Sequence, residues 1–211
     1  MALPCKWFAR ETATVAKELI GTILVHQLPS GERLAARIVE TEAYTPDDPA
    51  SHSWRGMTQR NKAMFAHGGC LYVYRIYGVH ECINIVTETE GIGAAVLLRA
   101  AEVVAGKDTI AAFRGRPVPP TRLLSGPANL ARGLGFSVAD NFRSCCGNGV
   151  WILPAFAQPR SIGVSGRIGI SAAVELLLRF FDPDSPAVSA HRRYVTLYEK
   201  ECNESLTLYA E

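Results

Sequence analysis

The chain lacks the sequence features of a membrane protein, a secreted protein and a metalloprotein. It contains no run of about 18 apolar residues, which excludes a membrane-spanning helix, and no apolar segment of a secretory signal at its N-terminus. Its six cysteines include no C-x-x-C pair, and its five histidines no i, i+4 pair with a third ligand nearby. We therefore expect reduced cysteines, no metal and no cofactor, and a location inside the cell: the cytoplasm or nucleoid of a bacterium, or the nucleus of a eukaryote.

Acidic residues are absent from three long stretches of the sequence. The 211 residues carry 22 Lys and Arg against 20 Asp and Glu, and the net charge of +2 excludes a uniformly basic protein. Residues 49–80, 109–139 and 141–174 contain no acid, yet they hold half of the cations. Such segregation is typical of a surface that binds a polyanion such as nucleic acid. The alternative is that these arginines pair with distant acids in the folded chain.

The order of the elements predicts the fold class. Residues 22–27 and 33–44 are expected to form one hairpin, residues 70–77 and 81–87 a second one with its tip at 77–80, and residues 94–99 a further strand. Short helices are expected from Thr12 or Thr14 to Ile20, and from Ser125 to Gly135. Because hairpins and short helices replace regular βαβ units, we expect an α+β fold. It would be a single mixed domain with a curved, mostly antiparallel sheet, short surrounding helices and a protruding β-hairpin.

One predicted strand carries two carboxylates on a single face. The two-residue period places Ile38, Glu40, Glu42 and Tyr44 on the same side of residues 37–44. A carboxylate buried there has a raised pKa and can act as a general base near neutral pH. The alternative, which the strand taken alone favours, is a solvent-facing strand whose two acids pair with Arg or Lys of a neighbour.

A second predicted strand carries three tyrosines. Tyr72 and Tyr74 share a face, and Tyr77 stands beside Gly78 at the hairpin tip. Two such rings form a platform for stacking a planar base, and an aromatic ring at an exposed tip can wedge into a base stack. The alternative is that the tyrosines only cover a hydrophobic core.

A series of motifs, in order along the chain, resembles the alkyladenine (3-methyladenine) DNA glycosylase family. The similarity covers roughly residues 10–190. The motifs are RIVETEAY at 37–44, His52-Ser53, Gln59-Arg60-Asn61, Met64-Phe65, Gly69, LYVY at 71–74, Ile76-Tyr77-Gly78, Cys82-Ile83-Asn84, VLLRA at 96–100, LSGP at 124–127 and GRIGI at 166–170.

The resemblance implies a base-excision-repair enzyme that acts on damaged DNA. Such an enzyme flips alkylated or deaminated purines, of the 3-methyladenine, 7-methylguanine, hypoxanthine and ethenoadenine class, out of duplex DNA and hydrolyses the N-glycosidic bond to leave an abasic site. No implied site position is a lysine, so we expect a monofunctional glycosylase without a Schiff-base step. Its partner is double-stranded DNA with damaged purines, with no membrane involved, and we expect a monomer. Residues 1–191 would form the glycosylase domain and residues 192–211 a C-terminal extension of unknown role.

The resemblance also implies roles for three residues at the reacting bond and the DNA stack. Glu42 matches the general base that activates the attacking water, and Arg99 matches the residue that holds the water, the base and the phosphate in place. Tyr77 matches the side chain that intercalates into the gap left by the flipped nucleotide.

Five further positions match the family's base-binding pocket. Tyr44 and Tyr74 match the rings that stack on the two faces of the flipped base. His52 matches a pocket residue that offers its backbone N–H to the base edge, and Tyr72 matches a pocket wall. Asn84 matches the side chain that excludes the amino group of guanine.

Two other functions compete with this interpretation, and three positions depart from the family pattern. A non-catalytic nucleic-acid-binding module has no reason to place Glu42 beside Tyr44, where its charge repels phosphate, and a small-nucleoside hydrolase needs no aromatic tip. Val79 and His80 stand where other residues occur, and Asn129 stands where lysine is frequent.

Overall fold

The centre of the molecule is one eleven-stranded antiparallel sheet that branches at its longest strand. A computed structural model describes residues 1–156, 159–190, 194–198 and 207–209. The strands are β1 (Ile23–Gln27), β2 (Arg33–Tyr44), β3 (Leu71–Ile76), β4 (His80–Val86), β5 (Ala95–Ala105), β6 (Cys146–Gly147), β7 (Val150–Leu153), β8 (Ser161–Ser165), β9 (Arg179–Phe181), β10 (Tyr194–Tyr198) and β11 (Thr207–Tyr209). Four short α-helices surround the sheet in these ranges: α1 (Cys5–Phe8), α2 (Thr12–Glu18), α3 (Lys107–Arg114) and α4 (Pro127–Gly133).

The branching occurs because β2 has two partners on one of its edges. Along its other edge it pairs with β5, which continues to β4 and then β3. On the shared edge, its first half pairs with β1 and residues Glu40 to Glu42 pair with β9. The β2–β5 register shifts between Ile38 and Thr41, and such irregularities bend a strand. The sheet curls as a half-barrel, which confirms the predicted α+β class with a mostly antiparallel sheet.

Helix α2 closes one face of this sheet, and its start differs from the predicted one. The Glu11 carboxylate, and neither predicted threonine, accepts the backbone N–H groups of Ala13 and Thr14. The Thr12 hydroxyl bonds to Thr87 and Glu88 across the fold. A carboxylate at a helix start also interacts favourably with the helix dipole, so Glu11 satisfies both requirements.

The cysteine prediction is wrong for one pair. Cys5 of α1 and Cys146 of β6 form a disulfide whose Cα atoms are 5.7 Å apart, although 141 residues separate them in sequence. Cys70, Cys82 and Cys145 are free and buried. The pairing could not be read from the sequence because it depends on how the N-terminal helix docks against the sheet.

The turn between β3 and β4 exposes an aromatic ring. Tyr72 lies opposite Asn84 and Tyr74 opposite Cys82 in the β3–β4 register. Tyr77 and Gly78 have φ values of 52° and 73°, as the central residues of a type I′ turn do, and Tyr77 is 86% exposed. A tyrosine whose backbone is in the left-handed region costs of order 1–3 kcal/mol. The turn therefore keeps an unfavourable backbone conformation while it presents this ring to solvent.

The C-terminal strands extend the same sheet. The β10 strand pairs with β8, and β11 pairs with β10. The predicted domain boundary between residues 191 and 192 lies outside the described residues and stays a prediction. No helix within the described ranges is both long and apolar enough to span a membrane.

Candidate active site

A pocket of about 310 Å³ opens where the end of β2 meets the β3–β4 hairpin. This volume lies at the lower end of the range for small-molecule sites, about 300–1,000 Å³. All five residues predicted for a base-binding pocket lie in its wall: Tyr44, His52, Tyr72, Tyr74 and Asn84. The wall also includes the loops 49–50 and 169–172 together with Met64 and Ile76.

Three aromatic side chains form one side of the pocket. The rings of Tyr72 and Tyr74 stack with centroids 5.3 Å apart, and the His52 ring stands edge-on to Tyr74 at 4.6 Å. His52 Nδ1 lies 2.9 Å from the Tyr72 hydroxyl. Burial raises the pKa of Tyr72 to about 12 and lowers the pKa of His52, so a neutral imidazole faces a protonated phenol. Tyr72 can then donate to Nδ1, which leaves the His52 proton on Nε2.

The Glu42 carboxylate is fully buried and accepts three hydrogen bonds. Its Oε2 accepts from Arg99 Nη1 at 3.2 Å and from the Tyr44 hydroxyl at 3.0 Å, and its Oε1 accepts from the Ile168 backbone N–H at 2.7 Å. Burial raises the pKa of Glu42, and these three donors oppose the rise only in part. A carboxylate has about four acceptor positions, and these hydrogen bonds use three of them.

Tyr44 connects this carboxylate to the pocket. Its ring lines the pocket wall while its hydroxyl bonds to Glu42, whereas Glu42 and Arg99 are not themselves part of the wall. Burial and the adjacent Glu42 carboxylate raise the pKa of Tyr44 far above its ordinary value, so the phenol stays a donor. The Glu42 carboxylate, whose pKa is raised, therefore lies directly behind the aromatic pocket, with the Tyr44 side chain between them.

Comparison with known proteins supplies the family. The family model for methylpurine-DNA glycosylase (MPG) matches residues 6–186. The chain belongs to this family. It is therefore an enzyme of the DNA glycosylase class, a hydrolase of DNA repair.

Three curated relatives are similar to this chain along most of their length. All three are provisionally named 3-methyladenine DNA glycosylases. The protein of Methanoculleus marisnigri is 46% identical over 90% of this chain and 99% of its own length. That of Methanocella arvoryzae is 41% identical, with 89% and 95% covered, and that of Corynebacterium glutamicum 42% identical, with 89% and 96% covered.

A second carboxylate of the glycosylase lies behind the first. Glu40 Oε1 accepts from Arg99 Nε at 2.9 Å, from Arg179 Nε at 2.8 Å and from the Ser189 hydroxyl at 2.9 Å, while its Oε2 accepts the Ser189 N–H at 2.6 Å. Burial opposes its ionisation, but Arg179 and Arg99 hold the pKa of Glu40 below its ordinary value. Arg99 thus bridges the two carboxylates through different nitrogens, which fixes its orientation toward Glu42.

This network contradicts the solvent-facing alternative drawn from strand 37–44. Glu40 and Glu42 do pair with an arginine of the neighbouring strand, but both are fully buried rather than solvent-facing. No sequence pattern indicated Arg179, because its strand β9 lies beside β2 only in the folded, branched sheet. There Arg179 is directly opposite Glu42.

A buried ion pair supports the loop that touches Glu42. Arg167 pairs with Asp48, donates to the Ala43 carbonyl at 3.1 Å and lies 4.7 Å from the Tyr44 ring centre. This anchors the loop whose Ile168 N–H binds Glu42. Arg167 stands within the GRIGI motif, but no sequence signal indicated Asp48.

The same ion pair corrects part of the prediction of a polyanion-binding surface. Arg167 lies in one of the acid-free stretches on which that prediction rests, but its side chain is buried. Arg167 pairs with an acid 119 residues away, as the alternative of distant pairing expects. Arg75 and Arg143 are also paired, but with the nearby acids Glu81 and Asp140, six and three residues away. Across the described ranges, no three His, Cys, Asp or Glu side chains come together as a metal site requires.

Proposed function

We propose that this glycosylase flips alkylated or deaminated purines, of the 3-methyladenine, 7-methylguanine, hypoxanthine and ethenoadenine class, out of duplex DNA and hydrolyses the N-glycosidic bond to leave an abasic site. The observation that carries the proposal is the buried Glu42 carboxylate, joined through the Tyr44 hydroxyl to an aromatic pocket.

The pocket binds the extruded base by stacking. Base–aromatic stacking contributes about 1–3 kcal/mol per base, and an electron-poor alkylated purine gains more from the rings of Tyr44, Tyr74 and His52 than a normal base does. Tyr72 keeps the His52 ring in place through its hydroxyl. Asn84, buried in the same wall and bonded to the Tyr72 carbonyl, excludes the amino group of guanine.

Glu42 acts as the general base. A cationic alkylated purine leaves without prior protonation, so one carboxylate suffices for it where glycosidases that act on sugars use two. A neutral lesion such as hypoxanthine must in addition gain a proton from a general acid as it leaves. A water in the fourth acceptor position of Glu42 gives up its proton as it attacks the anomeric carbon. Arg99, held by Glu40, keeps the Glu42 carboxylate aimed at this water.

The reaction is simple hydrolysis. A Schiff-base lyase step requires an amine nucleophile in the pocket. Among the described residues that line the pocket, none is a lysine. We therefore expect a monofunctional enzyme.

Tyr77 fills the gap that the flipped nucleotide leaves. Extrusion costs a few kcal/mol, least for a damaged or mispaired base. The exposed Tyr77 ring offsets this cost by stacking inside the duplex. The enzyme works as a monomer on double-stranded DNA inside the cell, with residues 1–191 as the glycosylase domain and 192–211 as an extension.

Single-turnover excision from a duplex that carries one ethenoadenine or hypoxanthine tests the proposal. Wild-type protein is expected to release the base, and Glu42→Gln to lower the rate by about 10²–10⁴-fold, the usual contribution of general-base catalysis. Glu18→Gln is the matched control, because Glu18 is exposed and its one ion pair within the described ranges is with Arg10.

Two results would contradict the proposed function. Duplex binding without base release by the wild type would favour the non-catalytic nucleic-acid-binding module. Base release by Glu42→Gln at the wild-type rate would remove Glu42 from the chemistry.

A further inference from the structure

The chain that follows β9, residues 182–190, is tied to the two longest strands of the sheet. Asp182 pairs with Arg37 of β2 at 2.8 Å. Ser185 donates its hydroxyl to Glu102 of β5 at 2.5 Å, and Glu102 itself pairs with Arg37 at 2.8 Å. We call this stretch the 182–190 segment. Its first half is held to β2 and β5 by hydrogen bonds to charged groups, which are the stronger kind.

The second half of the 182–190 segment packs beside the charged network behind the pocket. Ala187 is buried against Val39 of β2 and Ala100 of β5. These two residues are the chain neighbours of Glu40 and Arg99 respectively. The last residues of the segment therefore reach the carboxylate and the arginine that lie behind the pocket.

Ser189 uses both of its polar groups on this network. Its backbone N–H donates to Glu40 Oε2 at 2.6 Å, and its hydroxyl lies 2.9 Å from Glu40 Oε1 and 3.3 Å from Arg99 Nη2. A hydroxyl has one proton and two lone pairs, so it donates to the carboxylate and accepts from the guanidinium. Ser189 lies outside residues 6–186, which the family model matches, so that match assigns it no role.

Glu40 and Glu42 compete for the same arginine. The Arg99 guanidinium donates from Nε to Glu40 at 2.9 Å and from Nη1 to Glu42 at 3.2 Å, so it lies closer to Glu40. A hydrogen bond to a carboxylate stabilises its charge. Each further donor to Glu40 therefore weakens the pull of Glu40 on Arg99. Ser189 supplies two such donors.

We propose that Ser189 is a positioning residue for base release, because it satisfies Glu40 and so leaves Arg99 shared with Glu42. This rests on the proposed function, in which Glu42 is the general base. Without the hydroxyl, Glu40 loses a donor, and Arg99 Nη2 loses the one acceptor that the described residues offer it. The guanidinium then moves toward Glu40 and away from Glu42.

Such a movement changes the ionisation of Glu42. Burial raises the pKa of Glu42, and Arg99 opposes that rise more than any other group does. A weaker contact with Arg99 therefore raises the pKa of Glu42 further. The other titratable or charged groups that face Glu42 are Tyr44, Tyr74, Glu40, Arg167 and Arg179. Of these, Ser189 forms hydrogen bonds with Glu40 alone within the described ranges.

A ¹³C NMR titration of the glutamate carboxyl groups measures this effect directly. The Glu42 signal is the one that Glu42→Gln removes. In Ser189→Ala, the ionisation equilibrium of Glu42 should shift about tenfold toward the protonated form, the effect of losing one hydrogen bond to a charged group. Ser189→Cys should shift it in the same direction, because a thiol is a weak donor and a weak acceptor. It tests the same contact if the alanine variant does not fold.

Two control variants separate the hydroxyl of Ser189 from the packing of the 182–190 segment. Ser189→Thr keeps both the hydroxyl and the backbone N–H at a half-buried position and should titrate as the wild type does. Ser185→Ala removes a serine hydroxyl from the same segment, but one that binds Glu102 and not Glu40. It should also leave the Glu42 titration unchanged.

The excision rate provides a second measurement. A general base acts only when ionised. Single-turnover release of ethenoadenine by Ser189→Ala should therefore be about tenfold slower on the acidic side of the pH profile and approach the wild-type rate as the pH rises. Affinity for the lesion duplex should be unchanged, because Ser189 is not part of the pocket wall. A rate lowered equally at every pH would indicate a merely structural role and overturn the proposal.

The outcomes are distinguishable from those of the proposed function. An unchanged Glu42 titration in Ser189→Ala, or in Ser189→Cys if alanine does not fold, would overturn the positioning role. A shift as large in Ser189→Thr or in Ser185→Ala would overturn it too. The titration requires no base release. A wild type that releases no base would overturn the proposed function and leave the titration to decide whether Ser189 keeps Arg99 at Glu42.

Discussion

Replacing Tyr44 by phenylalanine separates the stacking ring from the hydroxyl that binds Glu42. The ring stays in the pocket wall, and only the 3.0 Å hydrogen bond to Glu42 Oε2 is lost. A hydrogen bond to a charged group contributes about 1.5–3 kcal/mol, which is about 10- to 150-fold in the balance between the ionised and protonated carboxylate. A water that enters the vacated space restores part of this, so we expect an effect of about tenfold.

The direction of the effect follows from the charge that the hydroxyl stabilises. The Tyr44 hydroxyl favours ionised Glu42 and so counteracts the rise that burial causes in the pKa of Glu42. Its removal raises that pKa further, and a general base is active only when ionised. The excision rate of Tyr44→Phe should therefore fall about tenfold on the acidic side of the pH profile and recover as the pH rises.

Single-turnover excision of ethenoadenine from about pH 5 to about pH 9 measures this effect. Tyr72→Phe is the matched control, because it removes a pocket hydroxyl that contacts His52 and not Glu42. Its profile should keep the wild-type shape. A Tyr44→Phe profile that parallels the wild type at every pH, whether lowered or not, would refute the reasoning.

Three further predictions follow from the same geometry. Glu40→Gln leaves two buried arginines without their shared carboxylate and should lower the free energy of unfolding in urea by about 3–5 kcal/mol, with Glu40→Gln/Arg179→Met recovering part of the loss; no loss in Glu40→Gln would contradict this. The pKa of Glu40 is lowered in the folded state, so its contribution to the free energy of unfolding is present above the unfolded-state pKa and is lost as the pH falls through the folded-state pKa. Acid unfolding of Glu40→Gln should therefore lack this pH-dependent loss of stability. Tyr77→Ala and Tyr77→Asn, of which asparagine tolerates the left-handed turn, should slow excision from duplex more than from single-stranded substrate, and equal slowing would count against intercalation. Asn84→Ala should raise release of guanine-derived relative to adenine-derived lesions by about tenfold, whereas an unchanged ratio would remove Asn84 from selectivity.

The local parts of the fold could be predicted because short-range rules govern them. Two-residue alternation placed Glu42 and Tyr44 on one face and Tyr72 and Tyr74 on another, and the structure puts all four at or directly behind one pocket. The hairpin of β1 and β2 matched its predicted residues within one position, since turn residues and apolar alternation are both local. Helix α2 was predicted but its cap was not, because Thr12 found a partner 75 residues away.

The sequence by itself determined which side chains share a strand face and, through its motifs, which family the chain resembles. Only the tertiary structure decided which charges are internal and which remain available. Asp48 with Arg167, Glu40 with Arg179 and Cys5 with Cys146 are pairs more than 100 residues apart, brought together by a sheet that branches at β2. The same folding left Arg116 and Arg132 without an acid partner among the residues that the structure describes. The amino-acid composition does not distinguish the paired arginines from the available ones. Charge pairing depends on burial and on distance in space, and position along the chain shows neither.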